Sequence, residues 1–493
     1  MSLTRKIAGH SVFYGSAQIL IMLSGVISMP ILTRVLTEEE YGLMNLIGVT
    51  LLLTTTLFSG GLRHSIARLY GEYREQGTLA ESVGTYLICV FGLGLLGFIA
   101  ATLVFPVLVT AGVIPRWALP IALMASPLVF IRLVFAGTAC VYRMREQVIR
   151  YNALEVATKY VAMGLCIWLV LTSFPRLFQF FRGLVLGEAI VLAALCIMFF
   201  GWRRDVRFQF TGPAARGMLR YGLPLMAGSL ASVAFRMGDR YVIKLLLDAR
   251  QVAYYSVGAQ LASYTSTAIV SGFSFALVPV IMNAWNSGKR QLAQDTLGNL
   301  IRYYALAAFP IALGLVAVRM DLIRLIASDK YLDSAPVMPL VVGAAMLGGF
   351  QAPLLIGLHF ARRTGTVALL STAVAALNIL LNIALIAPNG LNLGIVGAGI
   401  ATLACSALYI VVGHLFARPH YSIAIPWTRL LEYAAASAMM YMVVIQIDLA
   451  PWGWQLAARI VAGIVIYVAL VLILDRRLRE YITSRGWSRR NNE

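Results

Sequence analysis

The sequence predicts an all-α integral membrane protein. Of its 493 residues, 60% are hydrophobic and 12% are charged, whereas a soluble domain is about 45–50% apolar and about 25% charged. The chain also contains many apolar runs as long as the roughly 20 residues that a helix needs to cross a bilayer. A soluble fold of this length cannot bury so much apolar surface, so lipid must be the solvent for most of it.

Charged residues, prolines and glycines divide the chain into fourteen predicted membrane-spanning helices. Several runs exceed 25 residues, which indicates tilt or continuation beyond the hydrocarbon. The predicted spans are 9–32, 41–62, 82–108, 117–141, 151–173, 179–201, 217–246, 252–284, 299–318, 335–360, 364–387, 393–416, 430–449 and 455–474.

The loops between these spans carry an asymmetric charge. With fourteen helices, most of the 40 Lys and Arg residues fall on the side that the N-terminus and the C-terminal tail share. Cytoplasmic loops are enriched in Lys and Arg, so both termini are predicted to be cytoplasmic. The net charge of +19 therefore orients the protein in the membrane, and no nucleic-acid partner is predicted.

Two six-helix repeats are predicted around a central cavity. A shift of 211 positions places LTEEEYGLMN at 36–45 on LDARQVAYYS at 247–256, and both segments join two spans. Six spans restore the starting orientation, as parallel repeats require. The predicted domains are an N-lobe at 1–201, a connector at 202–216, a C-lobe at 217–416, two further helices at 417–475 and a basic cytoplasmic tail at 476–493.

Ionisable residues inside the spans are functional candidates, because each costs about 2.5–3.5 kcal/mol on insertion scales. Arg132 is one of them. Glu155 and Lys159 form another pair, four residues apart in the favourable order for a helical ion pair. They predict either a structural lock or a cavity-facing pair whose lysine meets an anionic group.

The segment RMGDRYVIKLLL at 236–247 contains the densest cluster of charges within a span. Arg236 and Arg240 share a helix face and repel one another, and Asp239 can balance only one of them. Three interpretations follow: pairing or snorkelling without a ligand, a polar latch between the two halves, or contact with an anionic substrate such as a pyrophosphate.

Polar side chains on the first and eighth spans form the last candidate set. Hydroxyl, amide and aromatic groups suit sugar hydroxyls and ring faces, although interhelical hydrogen bonds explain such residues equally well. The candidates are Gln18, Tyr255, Gln260 and Tyr264.

Motifs of enzymes and cofactor sites are missing from the sequence. It contains no P-loop, no GxSxG and no Cys/His spacing for a metal, and its five cysteines all lie in apolar runs. The sequence therefore predicts no enzyme, no cofactor and no metal.

Three segments carry a resemblance to a known family: YGSAQILIMLSGVISMPILTRVLTEEEYGLMNL at 14–46, YGLPLMAGSLASVAFRMGDRYVIKLLL at 221–247 and LIRLIASDKYLDSAPVMPLVV at 322–342. They resemble Wzx-like polysaccharide and O-antigen flippases, the polysaccharide transporters of the multidrug/oligosaccharidyl-lipid/polysaccharide exporter superfamily. Asp239 and Arg240 take the place of that family's Asp-Arg.

The resemblance implies a flippase of the bacterial inner membrane. Such a protein moves an undecaprenyl-diphosphate-linked oligosaccharide from the cytoplasmic to the outer leaflet by alternating access, for exopolysaccharide, O-antigen or capsule synthesis. Its partners would be this substrate, membrane lipids and a polysaccharide polymerase with its export machinery. The alternatives are a cation-coupled multidrug exporter of the same superfamily and a membrane polymerase of the same pathway.

Overall fold

The computed structural model describes residues 3–200, 206–361, 363–419, 421, 423, 425–449, 451–475 and 479. In these ranges the regular structure is helical and no β-strand occurs. Twelve helical stretches are long and apolar enough to cross a membrane by length and composition. The chain is therefore an all-α, multi-pass membrane protein, as the sequence predicts.

The first eight α-helices contain the first six predicted spans. The span at 41–62 is followed by a second helix after a break at Gly60 and Gly61, which both have positive φ. The span at 117–141 is divided at Ser126, because Pro127 starts a new helix and its ring cannot donate a backbone hydrogen bond. The helices are α1 Leu3–Val35, α2 Glu38–Phe58, α3 Leu62–Glu75, α4 Leu79–Thr110, α5 Leu119–Ala125, α6 Pro127–Met144, α7 Val148–Thr172 and α8 Arg176–Phe200.

The remaining helices contain the other eight predicted spans. The span at 217–246 is interrupted at Gly238, between α9 and α10. The helices are α9 Gly212–Met237, α10 Asp239–Leu246, α11 Ala249–Asn286, α12 Arg290–Ala317, α13 Arg319–Ile326, α14 Met338–Phe360, α15 Thr364–Ile386, α16 Gly394–Ala417, α17 Trp427–Val444 and α18 Trp452–Leu474.

Two long helical stretches have the spacing of the predicted repeat. α2 and α3 together run over Glu38–Glu75, which is 38 residues, and α11 runs over Ala249–Asn286, also 38 residues. The shift of 211 positions carries the first stretch onto the second at both ends. The copies differ in continuity, since the first is broken at its glycine pair and the second is one helix.

Contacts divide the chain into two units. The first comprises 1–256 and 363–405, and the second comprises 257–362 and 406–493. This division differs from the predicted lobes at 1–201 and 217–416, which stay a prediction. In the first unit α9 packs against α2, α3, α4 and α15, whereas in the second α12 packs against α14 and α17.

Buried ion pairs attach the last two helices within the second unit. The fully buried Asp475, which follows α18, binds Arg302 of α12 and accepts a hydrogen bond from the Tyr433 hydroxyl at 2.7 Å. Near the other end of α18, Arg459 Nη1 lies 3.0 Å from Asp321 Oδ2 of α13. Asp321 is buried and the Arg459 side chain is 13% exposed, so α18 is fixed to this unit near both of its ends.

Candidate functional site

A cavity of about 350 Å³ lies within the first unit, among α2, α3, α4, α6 and α9. Ligand pockets in proteins typically span about 300–1,000 Å³, so this cavity accommodates part of a large ligand. Its lining combines hydroxyl, basic and apolar side chains. The lining residues are Leu52, Thr55, Thr56, Phe58, Ser59, Gly61, Leu62, Arg63, His64, Val90, Leu133, Ala136, Gly137, Ser229, Ser232, Val233 and Arg236.

Two helices each contribute one complete face to this cavity. On each, four lining residues follow the spacing i, i+3, i+4 and i+7, which places them on one side of an α-helix. They are Leu52, Thr55 and Thr56 of α2 with its C-cap Ser59, and Ser229, Ser232, Val233 and Arg236 of α9. Phe58 of α2 also lines the cavity.

The hydroxyl groups on these faces donate hydrogen bonds to backbone carbonyls of their own helices. Thr56 Oγ1 donates to Leu52 O at 2.7 Å and Ser232 Oγ donates to Gly228 O at 2.9 Å. Thr55 and Ser229 make the same bond to the preceding turn of their own helices. Each hydroxyl oxygen keeps a lone pair, so these side chains are suited to accept hydrogen bonds from the hydroxyls of a sugar.

The cations of the cavity are Arg63 and Arg236, and His64 lies beside Arg63 in the lining; all three side chains are exposed. Neither arginine guanidinium forms a hydrogen bond or an ion pair with a residue in the described part of the chain. No lining residue among those described is acidic. Unpaired guanidinium groups bind phosphate in a bidentate geometry, so the cavity is suited to a phosphorylated ligand.

A close backbone contact lies at one end of the cavity. A Cβ atom on Gly222 would lie only 2.5 Å from Gly60 O, and one on Gly61 would lie 2.0 Å from Gly222 O. Beside it, Ser65 Oγ donates a hydrogen bond to Met218 O at 2.6 Å. We refer to this contact, made by Gly60, Gly61, Ser65, Met218 and Gly222, as the glycine contact.

The two cavity arginines lie at different levels along α9. Arg63 follows Gly61 by two residues and so lies near the glycine contact, whereas Arg236 lies about 21 Å along α9 from Gly222 at 1.5 Å per residue. Beyond Arg236, the Thr50 and Tyr241 hydroxyls are 2.6 Å apart. α2 therefore contacts the α9–α10 segment on both sides of the stretch that lines the cavity.

Arg240 and Asp239, predicted as site residues, form a buried pair. Arg240 Nη1 lies 3.1 Å from Asp239 Oδ1, and the side chains are 6% and 2% exposed. The Arg240 guanidinium carbon lies 5.8 Å from the centroid of the Tyr255 ring, and the Tyr255 hydroxyl is a hydrogen-bond partner of Asp239 and of Thr402. Tyr255, also a predicted site residue, is thus fully buried in this network.

Arg132 on α6 is held in a similar way by α8. Its Nε and Nη2 atoms donate three hydrogen bonds of 2.8–3.2 Å to the two carboxylate oxygens of Glu188. The Glu188 side chain is 5% exposed and the Arg132 side chain 32%. The positive charge of Arg132 is therefore compensated by the carboxylate of Glu188.

The other predicted site residues do not come together with the cavity. Glu155 is a hydrogen-bond partner of Tyr151 and forms no ion pair with Lys159, which is exposed. Gln18 is exposed on α1. In the second unit, Gln260 Nε2 donates to the Tyr264 hydroxyl at 2.7 Å.

Sequence reasoning missed most of the cavity, including Arg63 and His64, which it placed in a cytoplasmic loop. Two signals were available. Ser229 and Ser232 share the helix face of Arg236 by spacing alone, and the Gly60–Gly61 pair marks a helix break directly before Arg63.

Solved structures of membrane transporters share this fold. The chain matches the lipid II flippase MurJ in an inward closed conformation with a TM-score of 0.76 and 16% identity, over 95% of this chain and 99% of that one. It matches an inward-facing multidrug resistance transporter of the MATE family and MOP superfamily with a TM-score of 0.69 and 14% identity, over 82% and 94%. It matches the MATE transporter VcmN of Vibrio cholerae with a TM-score of 0.61 and 13% identity, over 85% of this chain and 98% of that one.

These matches show that the chain shares the fold of these membrane transporters. The sequence profile of the polysaccharide biosynthesis protein family matches residues 9–285, which is more than half of the chain. The chain belongs to this family. No protein with a curated description matches it.

Proposed function

We propose that this protein is a flippase that moves an undecaprenyl-diphosphate-linked oligosaccharide from the cytoplasmic to the outer leaflet of the bacterial inner membrane, for surface polysaccharide synthesis. The proposal depends on one observation: the cavity contains two unpaired arginines and no acidic residue among its described lining. The arginines bind the diphosphate, and the hydroxyl oxygens of α2 and α9 accept hydrogen bonds from the sugars.

The separate levels of Arg63 and Arg236 support a stepwise path. The diphosphate binds Arg63 near the glycine contact and passes to Arg236 further along α9, as the contacts between α2 and α9–α10 open in turn. Both termini are cytoplasmic in this scheme. An inside-negative potential favours outward movement of negative charge by about 2.3 kcal/mol per charge per 100 mV.

The superfamily also offers a different substrate class, cationic drugs. A cavity for a cationic drug needs a carboxylate to pair with it, because a buried unpaired charge is costly. The described cavity lining is basic instead, which favours an anionic substrate. The protein acts without chemical conversion of its substrate in this proposal, and a polymerase with its export machinery takes over the product.

The test is a translocation assay in vesicles. Full-length protein is reconstituted with lipid-linked oligosaccharide, and translocated glycan is detected with a membrane-impermeant glycosidase. We expect Arg236→Gln to slow translocation at least 10-fold. Arg68→Gln is the matched control, since Arg68 is exposed on α3, pairs with Glu72 at 2.9 Å and does not line the cavity.

Two results would contradict the proposal. The first is equal rates for the wild type and Arg236→Gln. The second is wild-type protein that moves no lipid-linked oligosaccharide and exports a cationic dye.

A further inference from the structure

The connector between α8 and α9 is attached to the start of α4 through its backbone. Arg207 N donates to Ala80 O at 3.2 Å, and a Cβ on Gly84 would lie 1.8 Å from Arg207 O. The Thr85 hydroxyl donates to Gln209 O and accepts from Thr211 N, both at 3.0 Å. Residues 206–211 are therefore held in one place although they form no helix.

This attachment leaves two phenylalanines uncovered. Val206 is 4% exposed and packs in an apolar cluster, but Phe208 is 61% exposed and Phe210 58%. The Phe208 ring lies 6.5 Å from the ring of Phe199, the last residue of a candidate membrane span. The phenylalanines thus lie where the ends of three spans meet, at the level of the membrane–water boundary.

Basic residues without partners follow directly on α9. Arg216 and Arg220 are exposed, are one helical turn apart, and form no ion pair with a residue in the described ranges. Phe208, Phe210, Arg216 and Arg220 together are termed the connector patch. Exposed apolar rings followed within a few residues by unpaired cations match a lipid surface with acyl chains next to anionic headgroups.

We propose that the connector patch is an interfacial anchor for the cytoplasmic leaflet. Phe208 and Phe210 insert at the edge of the acyl chains, and Arg216 and Arg220 bind the phosphates of anionic lipids. Because the connector is attached to α4 and leads into α9, the anchor fixes the depth of both helices in the membrane. This inference is independent of the substrate that the cavity binds.

The depth of the two rings can be measured with spin labels. In a full-length background with the five native cysteines replaced by alanine, Phe208→Cys and Phe210→Cys are labelled and reconstituted in phosphatidylcholine vesicles with 30% phosphatidylglycerol. Gln209→Cys is the matched control, since this exposed residue lies between them. We expect labels at 208 and 210 to be accessible to oxygen and shielded from a nickel complex, and the label at 209 to be accessible to nickel.

The headgroup contact has its own readout in the native-cysteine protein. We expect the double variant Arg216→Gln/Arg220→Gln to retain at least threefold less phosphatidylglycerol in native mass spectra than wild type, while Arg68→Gln retains the wild-type amount. Equal nickel access at all three labelled positions, or unchanged phosphatidylglycerol in the double variant, would overturn the proposal. Labels shielded from both reagents would also overturn it, because they would indicate a protein contact.

Discussion

Arg236 and Arg240 are four residues apart and have opposite environments. Arg240 is 6% exposed and bound to Asp239, whereas Arg236 is exposed to the cavity and has no partner among the described residues. The break at Gly238 separates them, so Arg236 lies in the last turn of α9 and Arg240 in the first turn of α10. The same residue type thus supports the fold at one position and is available to a ligand at the other.

The comparison extends to a second pair of arginines. Arg132 is bound by Glu188, as Arg240 is by Asp239, while Arg63 resembles Arg236 in lining the cavity without a partner. A paired charge contributes to stability through its partner, and its removal leaves the partner uncompensated. An unpaired charge in a cavity contributes little to the fold, so its expected effect is on ligand binding.

The largest expected effect is the loss of protein stability when the buried pair of Asp239 and Arg240 is broken. Asp239→Ala leaves Arg240 buried without a partner, which costs about 3–5 kcal/mol in free energy of unfolding. The double variant Asp239→Leu/Arg240→Met removes both charges and should recover most of this loss. Denaturant unfolding of the purified protein in detergent measures both values.

Arg236→Gln is the control for this first prediction, and a change within about 0.5 kcal/mol is expected for it. A loss as large as that of Asp239→Ala would show that Arg236 also supports the fold. The comparison between the two arginines would then be wrong.

The second expected effect is on transport. In the proposed function, Arg63→Gln and Arg236→Gln would each remove a charged contact to the diphosphate worth about 1.5–3 kcal/mol, so we expect each to slow translocation roughly 10- to 100-fold. Because the arginines lie at separate levels along α9, the fold reductions in translocation rate of the two single variants should multiply in the double variant. A double variant no slower than the worse single variant would place both arginines on one phosphate at the same step.

The third effect concerns the glycine contact at the end of the cavity. Gly222→Ala places a Cβ atom against the backbone of Gly60 and the hydroxyl of Ser65, which should destabilise the protein by about 1–3 kcal/mol. Gly217 on the same helix has only the Tyr73 hydroxyl at 3.7 Å. Gly217→Ala should therefore stabilise the protein by about 0.5–1 kcal/mol. If thermal unfolding showed that both substitutions stabilise the protein, or that both destabilise it, the glycine contact would be contradicted.

The smallest effect is expected at the pair of Arg132 and Glu188, in which the arginine side chain is 32% exposed. Glu188→Gln keeps the size of the side chain and one hydrogen-bond acceptor for Arg132, and water screens part of the charge. We expect a loss of about 1 kcal/mol in denaturant unfolding and unchanged translocation. A strong transport defect with normal stability would instead assign Arg132 to the substrate path.

Each of the fourteen predicted spans coincides with helical structure, and twelve helical stretches of the described residues are long and apolar enough to cross a membrane, because length and hydropathy decide which segments enter lipid. It identified Arg236 as a candidate from its depth, since charges within spans are rare. It missed Arg63 and His64, because a charge next to a predicted span end is ordinary in a loop. The Gly60–Gly61 pair marks a helix break in the sequence, but the packing of α9 against this break, which forms the end of the cavity, comes from far along the chain.

The sequence by itself determined that this chain is a helical membrane protein with a few costly charges within its spans. Only the tertiary structure decided which of these charges are balanced. Glu188 is 56 residues from Arg132, and Tyr255 reaches Asp239 from the next helix. Such pairs are set by helix packing and helix breaks, and hydropathy carries no information about either.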